Sequence, residues 1–328
     1  MVTRRNFTLA AAATALTAAA PMLAAHAAPG LEAETKVRPI TIIVPFAKGG
    51  TTDQVARLIA EPLGEALGTT VEVHNITGDW GHTGSVIAAT AAADGHTLIM
   101  GQTATHVMNT RHGLSKRYDP VADFAPIGLV GVSPITFVVR NSMPVADLAD
   151  LQAYLKVYPV SLSIAHGGDG TPSHIGARKL KTAMGFESLG ERAYASTMAA
   201  MEDVAAGQAD MMATSLPQAL PFIRAGKVKA LGLAASSRNI ALPEAFTGAQ
   251  QGYADLRASH WNGLFAPKAV SPALQAKLAD ALSSALAKAT TQRKMRELGI
   301  HVPFAEQQGA NALASLQARE IAELTATV

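Results

Sequence analysis

The chain has 328 residues, no cysteine, and 27 Lys+Arg against 25 Asp+Glu, a formal net charge of +2. That length supports about two domains of ordinary size and a large buried core. The absence of cysteine excludes structural disulfides, cysteine-ligated zinc, iron–sulfur clusters and cysteine nucleophiles.

Residues 1–27 read as a signal peptide. Met1–Phe7 is short and basic, with Arg4 and Arg5, and Thr8–Leu23 is an uncharged run of Ala, Leu and Thr. Ala25-His26-Ala27 then puts small residues at the two positions a signal peptidase reads, which sets cleavage after Ala27. Thr3-Arg4-Arg5-Asn6-Phe7 resembles a twin-arginine export signal, but Thr8-Leu9 stands where Leu-Lys is usual, so both export routes stay open. Removing the segment takes away two arginines and no acid, and the mature chain is electrically neutral. A neutral surface argues against nucleic acid and against an electrostatic membrane partner. No later stretch is apolar enough to span a bilayer.

In chain order, Ile40–Phe46 predicts a strand, Asp53–Leu67 a helix closed by Gly68, Val71–Ile76 a second strand, Ser85–Ala93 a helix, and Thr97–Met100 a third strand. Between Asp119 and Arg140, Pro120, Pro126 and Pro134 surround two apolar runs, Ile127–Val132 and Ile135–Val139. Alternation then restarts: strand Ser161–Ala165, helix His174–Met184, helix Ser196–Ala206, a strand near Asp210–Ala213, helix Pro217–Ala225 and strand Val228–Ala234. Ser259–Phe265 is a further apolar crossing, and helices follow over 272–289, 292–298 and 309–326. Strand, loop, helix, strand is the pattern of right-handed βαβ units, so the fold class is α/β with two such units.

Three strand ends open into loops of Gly, Thr, Ser, Asp and His, each followed at once by a helix: Gly49–Asp53, Thr77–Ser85 and His166–His174. Such loops present unpaired N–H groups at a helix N-terminus, where the macrodipole favours an anion. In open α/β sheets ligands sit at these strand ends. The same residue types are ordinary turns and caps, and it is three together that point to a site. No loop matches a Walker or dinucleotide fingerprint, no histidine spacing suits a metal, and no nucleophile elbow is present, so no cofactor, metal or catalytic residue is expected. His166 and His174 suit a ligand loop or helix cap better than a general base, and Met198, Met201, Met211 and Met212 are expected to fill the second core.

Val44-Pro45-Phe46, Gly49-Gly50 and Thr52-Asp53-Gln54-Val55-Ala56-Arg57-Leu58 resemble the first strand and loop of the Bug family, the extracytoplasmic solute receptors of tripartite tricarboxylate transporters. Ala93-Asp94-Gly95-His96-Thr97-Leu98, Tyr118-Asp119-Pro120, Asp123-Phe124-Ala125-Pro126-Ile127, Gly168-Asp169-Gly170-Thr171, Leu216-Pro217, Leu242-Pro243-Glu244 and Trp261-Asn262-Gly263-Leu264-Phe265-Ala266-Pro267 are similar to later family blocks, in order. The resemblance implies a two-domain periplasmic binding protein that closes like a Venus flytrap. Residues 36–136 plus 259–328 would form one domain and 137–258 the other, with two crossover segments between them. It implies a monomeric receptor, not an enzyme, that holds a small carboxylate in the cleft and delivers it to integral membrane transporter subunits. A sensory receptor for a two-component system and a secreted enzyme on the same bilobed fold are the alternatives.

Candidate ligand contacts are Phe46, Ala47, Lys48, Gly49, Gly50, Thr51, Thr52, Trp80, Gly81, Thr103, His166, Gly168, Gly170, Thr171, His174, Tyr194 and Ser215, with Asp53 and Ser85 as helix-capping residues beside the ligand. The chain departs from the family at Ala47-Lys48, where Pro-Pro is usual, at Asn75–Gly81, which lacks the usual arginine, at Tyr194-Ala195-Ser196, and at Thr214, where Asp is frequent. Lys48 is therefore expected either to pair with a ligand carboxylate or to sit solvated on the rim. Trp80 either covers the ligand or packs on the domain wall, and Asp79 either meets a ligand amine or caps its loop.

Overall fold

A computed structural model describes residues 38–108, 117–158 and 162–326. The segment read as a signal peptide lies outside the described residues. Strands β1 (Ile40–Val44), β2 (Val71–Asn75) and β3 (Thr97–Gly101) pair in parallel with β1 in the middle. Ile42 and Val44 enter one core cluster together with Val55, Ile59 and Leu63 of helix α1 (Thr51–Leu67), while Ile43 enters another with Ile99 and Phe265. A strand that buries branched side chains on both faces belongs inside a parallel sheet covered on both sides by helices. Helix α1 stops where Gly68 takes φ +69°, a left-handed conformation that costs glycine little.

The full sheet runs β2-β1-β3-β9-β4-β7-β5-β6, with β8 also paired to β4. The two apolar runs expected between Asp119 and Arg140 are one 17-residue strand, β4 (Phe124–Arg140). Both prolines are accommodated because each sits where the ladder is broken. The register shifts next to Pro126, and Pro134 lies at the change of partner. Phe124–Pro134 pairs with β9 (Ser259–Pro267), and Ile135–Arg140 pairs with β7 (Met211–Ser215) and β8 (Val228–Leu233). Beyond β7, β5 (Ser163–His166) lies parallel between β7 and β6 (Gly190–Ala193). The chain thus passes from one half of the sheet to the other within β4 and again on entering β9.

Helices α2 (His82–Ala89), α3 (Thr103–His106), α4 (Leu148–Val157), α5 (Pro172–Met184), α6 (Thr197–Ala205) and α7 (Leu216–Arg224) follow their strands. Helices α8 (Pro272–Ala287), α9 (Ala289–Glu297), α10 (Ala305–Gln308) and α11 (Ala310–Ala326) return to the first half. There, α11 is fixed by Gln317, whose amide donates to the carbonyls of His106 and Pro120, and by Glu320, which accepts from Trp261 Nε1 at 2.9 Å and Thr103 Oγ1 at 3.0 Å. The described residues from 38 onward form one compact unit, and no helix among them is long and apolar enough to cross a membrane.

Candidate binding cleft

Between the two halves of the sheet lies a cavity of about 240 Å³. Its walls are made of helix beginnings. The residues that cap the N-termini of α1, α2, α5, α6 and α7, namely Gly50, Gly81, Thr171, Ser196 and Ser215, all line it. Thr171 and Ser196 use their hydroxyls to accept from the first turns of their own helices. Helices α1, α2 and α7 begin without a side-chain cap, which leaves first-turn N–H groups to a bound anion. Asp79 is the one formally charged side chain among the described lining residues. The two halves meet directly: Thr51 Oγ1 and Ser215 Oγ share a 2.5 Å hydrogen bond in the buried wall.

The loop before α1 is held by Asp53. Its carboxylate accepts from Gly49 N–H at 2.8 Å, Arg57 Nε at 2.9 Å and Asn75 Nδ2 at 3.0 Å, and Asn75 Nδ2 also reaches the Phe46 carbonyl. Burial pushes this carboxyl up, but the bonds from Arg57, Gly49 and Asn75 outweigh it and hold the carboxyl below its usual range. Asp53→Ala should lower stability by about 2 kcal/mol, because it orphans the Gly49 N–H, takes one of two acceptors from the Asn75 amide and removes the carboxylate from Arg57, which keeps its bond to Asn75. Urea unfolding at pH 7 measures it. The contribution is present above the unfolded carboxyl value of 3.8 and lost as the pH falls through the folded one.

On the facing loop, four successive residues have positive φ: Gly78 at 135°, Asp79 at 46°, Trp80 at 53° and Gly81 at 93°. Asp79 and Trp80 are the only non-glycine residues in that region among those described, and such strain persists only where surrounding structure imposes it. The turn carries Trp80 across to the other half. A methyl group on Gly168, itself at φ +106°, would lie 2.3 Å from Trp80 Nε1.

Of the residues expected at the ligand, Phe46, Ala47, Gly50, Thr51, Thr52, Trp80, Gly81, Thr171 and Ser215 line the cavity, and eight do not. Lys48 is exposed at the tip of a turn closed by Gly50 N–H to the Ala47 carbonyl, and Gly49, at φ +85°, completes that turn. Thr103 donates to Glu320, away from the cleft. Tyr194 donates to Asp203 at 2.8 Å, with the Arg192 guanidinium over its ring; burial and Asp203 push its hydroxyl up. Gly168 and Gly170 support neighbours, Trp80 for the former and Met108 for the latter. Ser85 is no helix cap: α2 already starts at His82, and the Ser85 hydroxyl donates back to the Gly81 carbonyl.

His166 and His174 lie behind the cavity wall, their rings stacked at 4.5 Å, with Glu191 3.8 Å from His166 Nε2 and 3.2 Å from His174 Nε2. Those three donor atoms lie within 4.8 Å of one another, close enough for a metal ion. The protonation pattern does not suit one. Gly170 N–H donates to His174 Nδ1 at 3.0 Å, so the ring proton sits on Nε2, facing Glu191, and the Lys181 ammonium holds the other carboxylate oxygen at 2.6 Å. Burial, then His166 and Arg178, push His174 down against the pull of Glu191 and Asp169.

The sequence reading also missed part of the lining. Met198, expected as core, faces the cavity, whereas Met201, Met211 and Met212 are buried. Gln102, Ser173, Thr197, Thr214, Gln218 and His260 line it too. Ser215-Leu216-Pro217, a hydroxyl and then proline at a helix start, could have flagged 214–218, but no local signal marks His260.

The family described as "Tripartite tricarboxylate transporter family receptor" (TctC) matches residues 55–325. The chain belongs to this family. Among solved structures, the receptor resembles MatC (Rpa3494) from Rhodopseudomonas palustris with bound malate, at 35% identity and TM-score 0.81, over 88% of this chain and 97% of that one. It resembles the periplasmic binding protein BugD at 31% identity and TM-score 0.81, over 88% and 95% of the two chains. It also resembles R. palustris Rpa4515 with adipate, at 27% identity and TM-score 0.83, over 89% and 96%. The receptor has the mixed α/β periplasmic binding protein fold of these structures, and it is a periplasmic solute-binding component of a tripartite transporter system rather than an enzyme.

Proposed function

We propose that this receptor binds a small carboxylate in the cleft and, in its closed form, presents it to the membrane subunits of its transporter. The observation that carries this reading is the convergence of five helix N-termini on one cavity whose described lining holds no lysine or arginine. Main-chain N–H groups and macrodipoles supply the positive potential that a carboxylate needs, and hydroxyls add neutral donors. Malate in MatC and adipate in Rpa4515 are ligands of this kind. Two lobes, 36–136 plus 259–328 and 137–258, close on the ligand, with β4 and the entry to β9 as the crossings. Closure excludes water and strengthens each hydrogen bond. Residues 1–27 direct export and are cleaved, and the mature receptor acts as a monomer.

Thermal unfolding of the mature protein against small carboxylates, amino acids and neutral aromatics tests the reading. A ligand at 100 times its Kd adds about 2.7 kcal/mol, which raises Tm by several degrees. Selective shifts with carboxylates are expected, with no turnover. Shifts confined to neutral compounds would overturn the reading.

A further inference from the structure

We propose that Thr214, Gln218 and His260 form a second recognition point in the cleft, one that selects a carboxylate bearing a hydroxyl or keto oxygen over the same acid without it. This rests on the carboxylate-receptor reading and names the ligand class more narrowly. All three residues line the cavity, and all three are buried, at 0%, 3% and 7% exposure. Thr214 Oγ1, Gln218 Nε2 and His260 Nε2 have no hydrogen-bond partner within the protein.

Neighbouring polar side chains are paired. Thr51 bonds Ser215, Thr171 bonds Ser173, and Thr52 accepts from Asn262. Of the lining side chains, these three are the ones with a buried polar atom left unpartnered, and because such an atom is costly unless something pairs it, a ligand in the cleft is the partner that fits. The backbone brings them together at the change of partner in β4. Thr136 stands opposite Thr214 and Ser133 opposite His260, while Gln218 lies four residues beyond Thr214, in the first turn of α7.

The chemistry of the three specifies the group. Gln218 Nε2 can only donate, a threonine hydroxyl donates or accepts, and burial holds His260 down to about 4, against the opposing bond to Asn262, so its imidazole is neutral at pH 7. None supplies a positive charge. They suit an oxygen that accepts from the amide without bringing charge, a hydroxyl or a carbonyl, while the anionic end lies at the helix N-termini. A methylene in that place would leave all three unpaired, and sites built in this way reject the deoxygenated analogue strongly.

Calorimetry of the mature protein with pairs of acids that differ by one oxygen tests this: 2-hydroxybutanedioate against butanedioate, 2-hydroxypropanoate against propanoate, and 2-oxopentanedioate against pentanedioate. The oxygenated member of at least one pair should bind about 100-fold tighter. Gln218→Leu and Thr214→Val should each shrink that ratio at least 10-fold, the oxygenated acid losing far more than its partner. Equal affinities within every pair that binds would overturn the inference and leave the carboxylate reading standing. Equal losses for both members in the variants would overturn it as well, by reducing the two side chains to a structural role. Binding of no acid at all would overturn the carboxylate reading, and this inference with it.

Discussion

Lowering the pH from 7 to 5 should cost the folded receptor as much as about 4 kcal/mol, through two buried histidines. His106 lies 3.9 Å from the Phe265 ring, nearly parallel to it, and 4.9 Å from that of Phe124, with Nδ1 on Thr105 Oγ1 and Nε2 unpartnered. Burial holds His106 down to about 3 and His260 down to about 4. Their ordinary value is 6.5, so between 6.5 and these values the unfolded chain binds more protons than the folded one. Stability is therefore complete above about 6.5 and falls as the pH drops, by up to about 1.4 kcal/mol per unit for each histidine. Glu320, pushed up by burial against its bonds from Trp261 and Thr103, has the opposite sign and offsets part of the loss. Urea midpoints at pH 7.5, 6 and 5 measure the slope. His82 and His174, also pushed down, add to the slope in the same direction. His106→Asn should reduce it by up to about 1.4 kcal/mol per pH unit, and an unchanged slope in that variant would assign the pH dependence elsewhere.

Gly168→Ala should weaken ligand binding about 100-fold while costing the free protein only about 1–2 kcal/mol. The new methyl meets Trp80 Nε1 at 2.3 Å, at a φ that alanine adopts reluctantly, so either the indole or the loop must move. Gly168 belongs to the second half of the sheet and Trp80 to the first, and their contact stands beside the Thr51–Ser215 bond as a direct link across the cleft. Under the proposed closure of the two halves on a ligand, a substitution that props the link open subtracts from the closed state alone, and affinity falls by the fraction of closed protein lost. Calorimetry reads the affinity. Tryptophan emission reads the geometry, because Trp261 is buried at 1% exposure whereas Trp80 is 43% exposed and is the one the new methyl would displace. Affinity equal to that of the unaltered receptor would show that this contact plays no part in closure.

The elements legible in the sequence were those that bury a periodic face. β1, α1, β3, β5, α5 and β7 each announce themselves, the strands as short runs of mostly apolar residues and the helices by apolar residues at period 3.6, and their observed ends fall within a few residues of expectation. Two of the elements that escaped had no such face. β6 is Gly-Glu-Arg-Ala, wholly exposed on the sheet edge, and α3 is a single capped turn. α4 is the exception: Leu148, Leu151 and Leu155 form a buried face at helical spacing behind an Asp147 cap, a signal present in the sequence. Pro134 looked like a break because a proline lacks an N–H, yet β4 exchanges partners just there and loses little.

The cleft divides in the same way. Glycine, threonine and serine at the ends of strands state in sequence that helix N-termini will be open to an anion, because strand-to-helix turns and caps are local structures with local chemistry. That is why Gly50, Thr51, Gly81 and Thr171 were legible as lining residues. Thr103, Tyr194, His166 and His174 carry similar chemistry, but each is turned to a partner in another element, Glu320 for Thr103, Asp203 for Tyr194 and Glu191 for the histidines, while Lys48 sits at the tip of an exposed turn. His260 is the converse case, a residue within a strand that enters the cleft only through the pairing of β9 with β4. The sequence by itself determined the α/β class, the family, and the anion-favouring helix starts, because periodicity, motif and capping act over a few residues. Tertiary structure alone decided which polar groups share the cavity and which are left unpaired in it, because pairing of buried groups is settled by contacts between segments hundreds of residues apart.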